Sequence, residues 1–345
     1  NNNENNTKSI EISVDEKPTG EIFASAGAGT SGASLGFGVR ENNFLGKGIG
    51  LDSNILLSGE SIKGKFSVTN PNFKNSDKTL FASVEAIEND YYKNFGYKTN
   101  KTGISIGTDF EYLNDFYVGI NSSNFYEVIE TNSTASAQQQ GQEGNYWDSF
   151  IKLSMNYDKR NQKFQTSDGF KSHYSVDLPL ISDTNTLKNY YNYSHYFDFF
   201  EKNFSSISIY LQSAHSINNK DIKLSERITI PSNRLRGFEA GRLGPKDGDD
   251  FVGGNYAYSI NVASNIPQIF EESQNVDFLI FADAADIWGV DYNSSLKGSG
   301  IRSSVGVALD WMSPVGPMNF TLAYPVTKEI GDKTETFRFN LGTTF

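Results

Sequence analysis

The chain has no cysteine. That excludes a disulfide framework and any thiolate metal site. It has only three histidines, His173, His195 and His215, without metal-ligand spacing, and no GxSxG elbow offers a serine nucleophile. Isolated histidines in strand-like segments read as structural or solvated, so no enzyme and no cofactor is expected. No apolar run reaches the roughly 18 residues of a membrane helix, and mean hydropathy is −0.47. Basic residues are in deficit, 30 against 41 acidic, for a net charge of −11. An acidic chain lacks the basic face that nucleic acid requires. Proline is scarce, at 9 of 345 residues, while glycine reaches 31, which suits strands and turns. No signal peptide opens the polar stretch 1–9, so the expectation is a removed signal or a piece of a longer protein.

Aromatic residues are abundant, with 26 Phe and 18 Tyr. Their arrangement is periodic. Phe337, Phe339, Leu341 and Phe345 alternate with Arg338, Asn340, Gly342 and Thr344. Ile151, Leu153, Met155 and Tyr157 oppose Lys152, Ser154, Asn156 and Asp158; Met318, Phe320, Leu322 and Tyr324 oppose Asn319 and Thr321. A period of two is the strand period. The polar face carries charge or amide in nearly every segment, and the apolar face is aromatic at its ends. Lipid outside and water inside produce that pattern. Roughly sixteen such segments predict an all-β fold, a closed sixteen-stranded antiparallel transmembrane barrel in the bacterial outer membrane. Closure is required because lipid cannot satisfy an open strand edge. The connections 131–145 and 218–254 are long and polar, whereas Ser313-Pro314-Val315-Gly316 is a tight turn. Short turns on one side and long loops on the other are expected.

Residues 1–19 read apart from the barrel at 20–345. The segment 10–14 is strand-like, and Pro18 and Gly20 separate it from the barrel. Gly27-Ala28-Gly29-Thr30-Ser31-Gly32 matches GxGxxG, but another strand comes next where a dinucleotide site needs a helix, so a glycine-rich hairpin is expected. Asp247, Asp249 and Asp250 lack the distal ligands of a calcium loop and read as a solvated acidic loop.

Two regions carry candidate function. The first strand is weak: Ile22 and Phe23 are followed by Ala24, Ser25, Ala26, Gly27, Ala28 and Gly29. Glycine in a strand costs backbone entropy and offers no packing. This strand must pair with the last, about 336–345, where Gly342 marks a bend or an early end. Two readings stay open from the residues: small side chains that fit a crowded seam, or a seam that opens and offers edges for strand addition. The second region is Leu235-Arg236-Gly237-Phe238 in the longest loop. Arg236 either sits in solvent or points into the lumen and meets a carboxylate. Gly237 permits a sharp tip and Phe238 can anchor it. Asp283, inward with Asp277 and opposite in parity to Val276, Phe278, Ile280 and Ala282, is the carboxylate at hand.

The chain resembles the barrel of the BamA family of outer-membrane protein assembly factors over nearly its full length. The matching stretches are Asn43-Phe44-Leu45-Gly46, Thr69-Asn70-Pro71, Leu235-Arg236-Gly237-Phe238, Leu243-Gly244-Pro245-Lys246 and Val252-Gly253-Gly254-Asn255. They continue with Trp311-Met312-Ser313-Pro314-Val315-Gly316-Pro317 and the C-terminal run from Phe337 through Arg338, Phe339, Asn340, Leu341, Gly342, Thr343 and Thr344 to Phe345. The resemblance implies a sixteen-stranded barrel behind periplasmic POTRA domains, with 10–14 the tail of the last. It implies an Arg-Gly-Phe loop folded into the barrel, its arginine on acidic wall residues. Asp283 matches one such acid; Asn261 stands where the second belongs, which leaves Arg236 one full ion pair and a looser grip. The implied activity is insertion of unfolded outer-membrane barrel clients through a lateral seam between about 22–29 and 337–345. The implied partners are BAM-complex lipoproteins held by the POTRA domains, the bilayer and lipopolysaccharide. A secretion translocase of the same superfamily and a passive porin are the alternatives, because fold alone does not give function.

Overall fold

The computed structural model describes residues 13, 17–269, 275–296, 298–314 and 316–342. Most of the segment 10–14 lies outside the described residues, as does Phe345. The strands β1 (Gly20–Gly29), β2 (Gly32–Phe44), β3 (Ile49–Ser58) and β4 (Ser61–Asn70) come first. Longer strands succeed them: β5 (Lys78–Tyr91), β6 (Tyr97–Leu113), β7 (Phe116–Thr131) and β8 (Gly144–Asp158). Next are β9 (Gly169–Pro179), β10 (Thr186–Phe197) and β11 (Ser205–Ser216). The tiny β12 (Lys246–Asp247) and β13 (Asp250–Phe251) pair as a hairpin within the longest connection. The chain then runs through β14 (Tyr256–Asn265), β15 (Val276–Trp288), β16 (Arg302–Ser313), β17 (Gly316–Thr327) and β18 (Phe337–Leu341). All but β12 and β13 close into one antiparallel barrel of sixteen strands.

Alternation assigns the faces. On β8, Trp147 and Met155 are exposed on the outer wall with Ile151 and Leu153 between them, and Tyr157 ends the row. At about 3.3 Å per residue and a tilt near 40°, the row from Trp147 to Tyr157 covers roughly 25 Å of membrane. Ring contacts run along the lower rim from Phe116 to Tyr157, Phe170 and Tyr193, forming an aromatic girdle. The inner wall of β4 to β8 carries Lys65, Glu85, Lys101, Ser123 and Lys152 around a cavity of about 350 Å³. Water can fill such a lumen, so charge there is not stranded in lipid.

The GxGxxG stretch forms the β1–β2 hairpin, with Gly29 opposite Gly32. The expected sidedness of the loops is only partly met. With the N-terminal side periplasmic, the outer turns after β1 and β3 are two residues long, at 30–31 and 59–60, while the inner connection 159–168 is longer. The long outer connections are those after β7, β11 and β15.

Candidate functional site

The 217–255 connection packs against the inner wall. Ile222, Ile228, Ile230, Leu235, Phe238 and Leu243 are buried in one cluster with Ala214, Ala257, Ala285 and Ile287. Each buried side chain contributes roughly 1.5–3 kcal/mol. The alanines belong to β11, β14 and β15, and their small side chains leave the space the loop occupies. The residues gave no sign that inward alanines mark a docking bed. Hydrogen bonds and ion pairs carry the loop to β7, β8, β14, β15 and β18. Strands so far apart around the ring share a partner only through the lumen.

Arg236 meets Asp283 as the sequence suggested. Its Nε and Nη2 donate to the two carboxylate oxygens, both at 2.7 Å, and its backbone N–H donates at 3.0 Å. Asp283 is fully buried at its side chain, whereas Arg236 keeps 19% exposure. The guanidinium also lies 3.5 Å from the centroid of Phe281, an inward residue of β15. Gly237 takes φ +89°, a conformation L side chains avoid, and a Cβ there would come 3.2 Å from Ala323 Cβ. Phe238 is 1% exposed.

Asn261 does not act on Arg236 directly. Its amide donates to Asp283 Oδ1 at 2.9 Å and to the Arg234 carbonyl at 2.8 Å. Its own oxygen accepts from Ser259. A carboxylate has no proton to donate at neutral pH. The amide therefore orients Asp283 and ties down the loop backbone, and the looser grip expected from a missing acid is offset by two donated bonds.

Further buried ion pairs pin the loop, and the sequence reading missed them. Lys223, 1% exposed, donates to Glu127 of β7 at 2.7 Å and to Asp148 of β8 at 2.5 Å. Glu226 accepts from Thr186 at 2.6 Å and pairs with Lys188 at 2.9 Å. Burial alone would raise the Glu226 carboxyl, but Lys188 and Lys223 overcome it and hold it at about 2. Arg302, at the start of β16, binds Asp332 of the outer connection before β18 at 2.9 Å and Asp286 of β15 at 3.1 Å. Each charge lies far from its partner in sequence, so no local spacing betrays the pair. Of the acidic loop residues, Asp247 accepts from Ser136 at 2.5 Å and Tyr292 at 3.1 Å, and Asp250 is buried.

The seam is the weakest join. Among the described residues, β1 and β18 are in register only at Ala28 with Leu341 and Gly29 with Asn340. Below Ala28, the other edge of β1 has no strand partner among those residues, while its near edge pairs with β2 from Gly20–Glu41 to Gly29–Gly32. Strand β18 runs from Phe337 to Leu341, and residues 343–345 of the expected strand lie outside the described residues. Gly342 then turns at φ +95°, where a Cβ would lie 2.4 Å from the Ala26 carbonyl oxygen. The residues are small where backbones touch, and among the described residues the join is short. Ile22 is 86% exposed, Ala24 and Ala26 face out with it, and Phe23 and Ser25 face in. Phe23 stacks beneath Arg40, and Phe337 and Phe339 stack on each other. Gly27 lies beside Gly342.

Comparison with known proteins gives these features a context. A crystal structure of BamA from Haemophilus ducreyi lacking POTRA domains 1–3 superposes with a TM-score of 0.89, at 24% identity, over 96% of this chain and 71% of that one. CdiB from Escherichia coli shares the barrel more loosely, at TM-score 0.60 and 13% identity over 96% of this chain and 64% of that one. In sequence, the outer membrane protein assembly factor BamA of Neisseria meningitidis is 25% identical over 97% of this chain and 48% of its own length. BamA of Neorickettsia risticii is 22% identical over 97% of this chain and 46% of its own length. The chain thus spans about half the length of these relatives. The model of the Omp85 superfamily domain matches residues 43–345, and the chain belongs to the Omp85 superfamily.

Proposed function

We propose that this barrel inserts and folds β-barrel clients in the bacterial outer membrane, through the seam between β1 and β18. The observation that carries the reading is that, among the described residues, β1 and β18 join over two residues beside a β1 edge with no further strand partner. In hydrocarbon each unsatisfied backbone group costs several kcal/mol. An incoming client strand that pairs with β1 removes that cost, so strand addition needs no nucleotide. The client sheet then grows from the β1 edge until it closes on itself. No covalent chemistry is involved, and the residues serve as template and support rather than as catalysts.

The lipid face supports the same reading. On β2, Leu35, Phe37 and Val39 are the bulky outward residues before Glu41. That stretch covers roughly 10 Å of membrane, so the bilayer beside the seam thins. Residues 1–19 would be the tail and linker of a POTRA domain, and lipoprotein partners would dock on such domains. Lipopolysaccharide and the bilayer are the remaining partners. A secretion translocase is the alternative, and the likeness to the CdiB barrel is what favours it. A passive porin fits less well, because the 217–255 loop is docked on the inner wall across the lumen from β7 and β8 to β14, β15 and β18.

The test is site-specific crosslinking in a cell that assembles clients. A cysteine at Ser25 should crosslink to the C-terminal strand of an assembling client. Crosslinks to translocating secreted chains and none to barrel clients would favour the translocase.

A further inference from the structure

We infer that Arg338 is a positioning residue that fixes the last strand from the side of the long loop. Arg338 is on the inner face of β18 and is 7% exposed. Its Nη1 donates to the Ser232 carbonyl at 3.0 Å and its Nη2 to the Phe238 carbonyl at 2.9 Å. Its Nε donates to Glu335 at 2.6 Å. The two carbonyls flank the Arg236 tip, so one guanidinium reads the docked shape of the loop and transmits it to the seam strand. The connection before β18 is tied to the same loop. Glu335 N–H donates to the Gly237 carbonyl at 2.9 Å, and Glu239 N–H to the Lys333 carbonyl at 3.0 Å. Phe238 and Thr334 form an isolated bridge.

Among the described residues these ties outnumber what β18 receives across the seam, where the register has two pairs, with Thr30 N–H donating to the Phe339 carbonyl at 3.1 Å. A charge-assisted bond is about twice as strong as a neutral one. Strand β17 holds the other edge of β18, from Leu322–Phe337 to Met318–Leu341. The loop adds the hold on the inner face that bears on the seam side, and Arg236–Asp283 acts there through the Phe238 carbonyl and Arg338. A lysine could not serve equally, since a single ammonium does not span two carbonyls and a carboxylate with a planar fork. The geometry stands by itself; only its consequence for client insertion rests on the proposed seam function.

The experiment is hydrogen exchange of the β18 amides in the full-length protein in bilayers, for wild type, Arg338→Gln and Arg338→Lys. Local opening scales exchange directly. Arg338→Gln should raise β18 exchange roughly tenfold with β7 unchanged, and Arg338→Lys should raise it less. Heat-modifiable gel mobility reports whether the barrel closes; if Arg338→Gln does not fold, Arg338→Lys carries the comparison alone. Unchanged β18 exchange in the folded variants overturns the inference. Client assembly is measured in parallel. Faster β18 exchange with normal assembly would keep the positioning role and sink the seam reading, whereas changes in both support the two together.

Discussion

The wall at β6 to β8 and the seam at β1 and β18 are the same kind of structure built to opposite strengths. Strands β6 and β7 stay paired from Tyr97–Thr131 to Leu113–Phe116. The seam pairs at Ala28–Leu341 and Gly29–Asn340. At roughly 1 kcal/mol net per hydrogen bond, the seam ladder holds a few kcal/mol and the wall several times more. Side chains widen the gap. The wall presents Ile104, Ile106, Ile120 and Met155 to lipid, whereas β1 presents Ile22, Ala24, Ala26 and Ala28. Among the described residues this join of the sixteen is the short one, and the lumen loop bonds to the strand on one side of it. A uniform barrel would have no preferred place to open.

Locking the two joins should separate them most sharply. The chain lacks cysteine, so engineered pairs are unambiguous. A disulfide between Ala28→Cys and Leu341→Cys should abolish client assembly until reductant is added. The equivalent lock on the wall, Ile106→Cys with Ser122→Cys, also joins register partners and should leave assembly intact. Equal effects of the two locks would remove the distinction between seam and wall.

The brace comes next. Asp283→Ala strands Arg236 without its carboxylate and should cost about 3–5 kcal/mol, read as a lower midpoint of heat-modifiable mobility. The exchanged pair Arg236→Asp with Asp283→Arg should recover part of that loss. A smaller change is expected from Asn261→Asp. It removes the donors to Arg234 and Asp283 and sets two carboxylates side by side, at a cost of about 1–3 kcal/mol in the same assay. A gain in stability would mean that the amide is a handicap.

Acid gives the mildest probe. Glu226 titrates at about 2 in the folded protein against an ordinary 4.5. Its ionised form therefore stabilises loop docking above pH 4.5, and that contribution is lost as the pH falls from 4.5 toward 2. Protease nicking within 217–255 should rise over that window and not at higher pH. In Glu226→Gln the acid step should be smaller, since Glu127, Asp148 and Asp283 also hold the loop.

Most of the architecture was legible in the sequence, because alternation is a local property and each strand carries its own copy. Strand parity placed Asp283 inward, and the glycine and alanine run marked β1 as weak. What the sequence concealed is non-local. Lys223 with Glu127 and Asp148, and Arg302 with Asp286 and Asp332, are pairs assembled only when the barrel closes. Arg338 was visible as the charged residue of the last inner face, yet its partners are carbonyls, which no side-chain pattern reveals. Asn261 was legible as a departure from the family's acid, but its two donated bonds depend on where the Arg234 carbonyl comes to rest. The contact of Gly342 with Ala26 and Gly27 was likewise not legible, because it depends on where the two ends of the barrel meet.

The central claim is that β1 is held far less firmly on its seam side than any wall strand. Hydrogen exchange of the unmodified protein in bilayers measures this directly. Amides of β1 below Ala28 that point toward β18 should exchange at least about a hundredfold faster than those in the middle of β7. Protection of β1 equal to that of β7 would contradict the account.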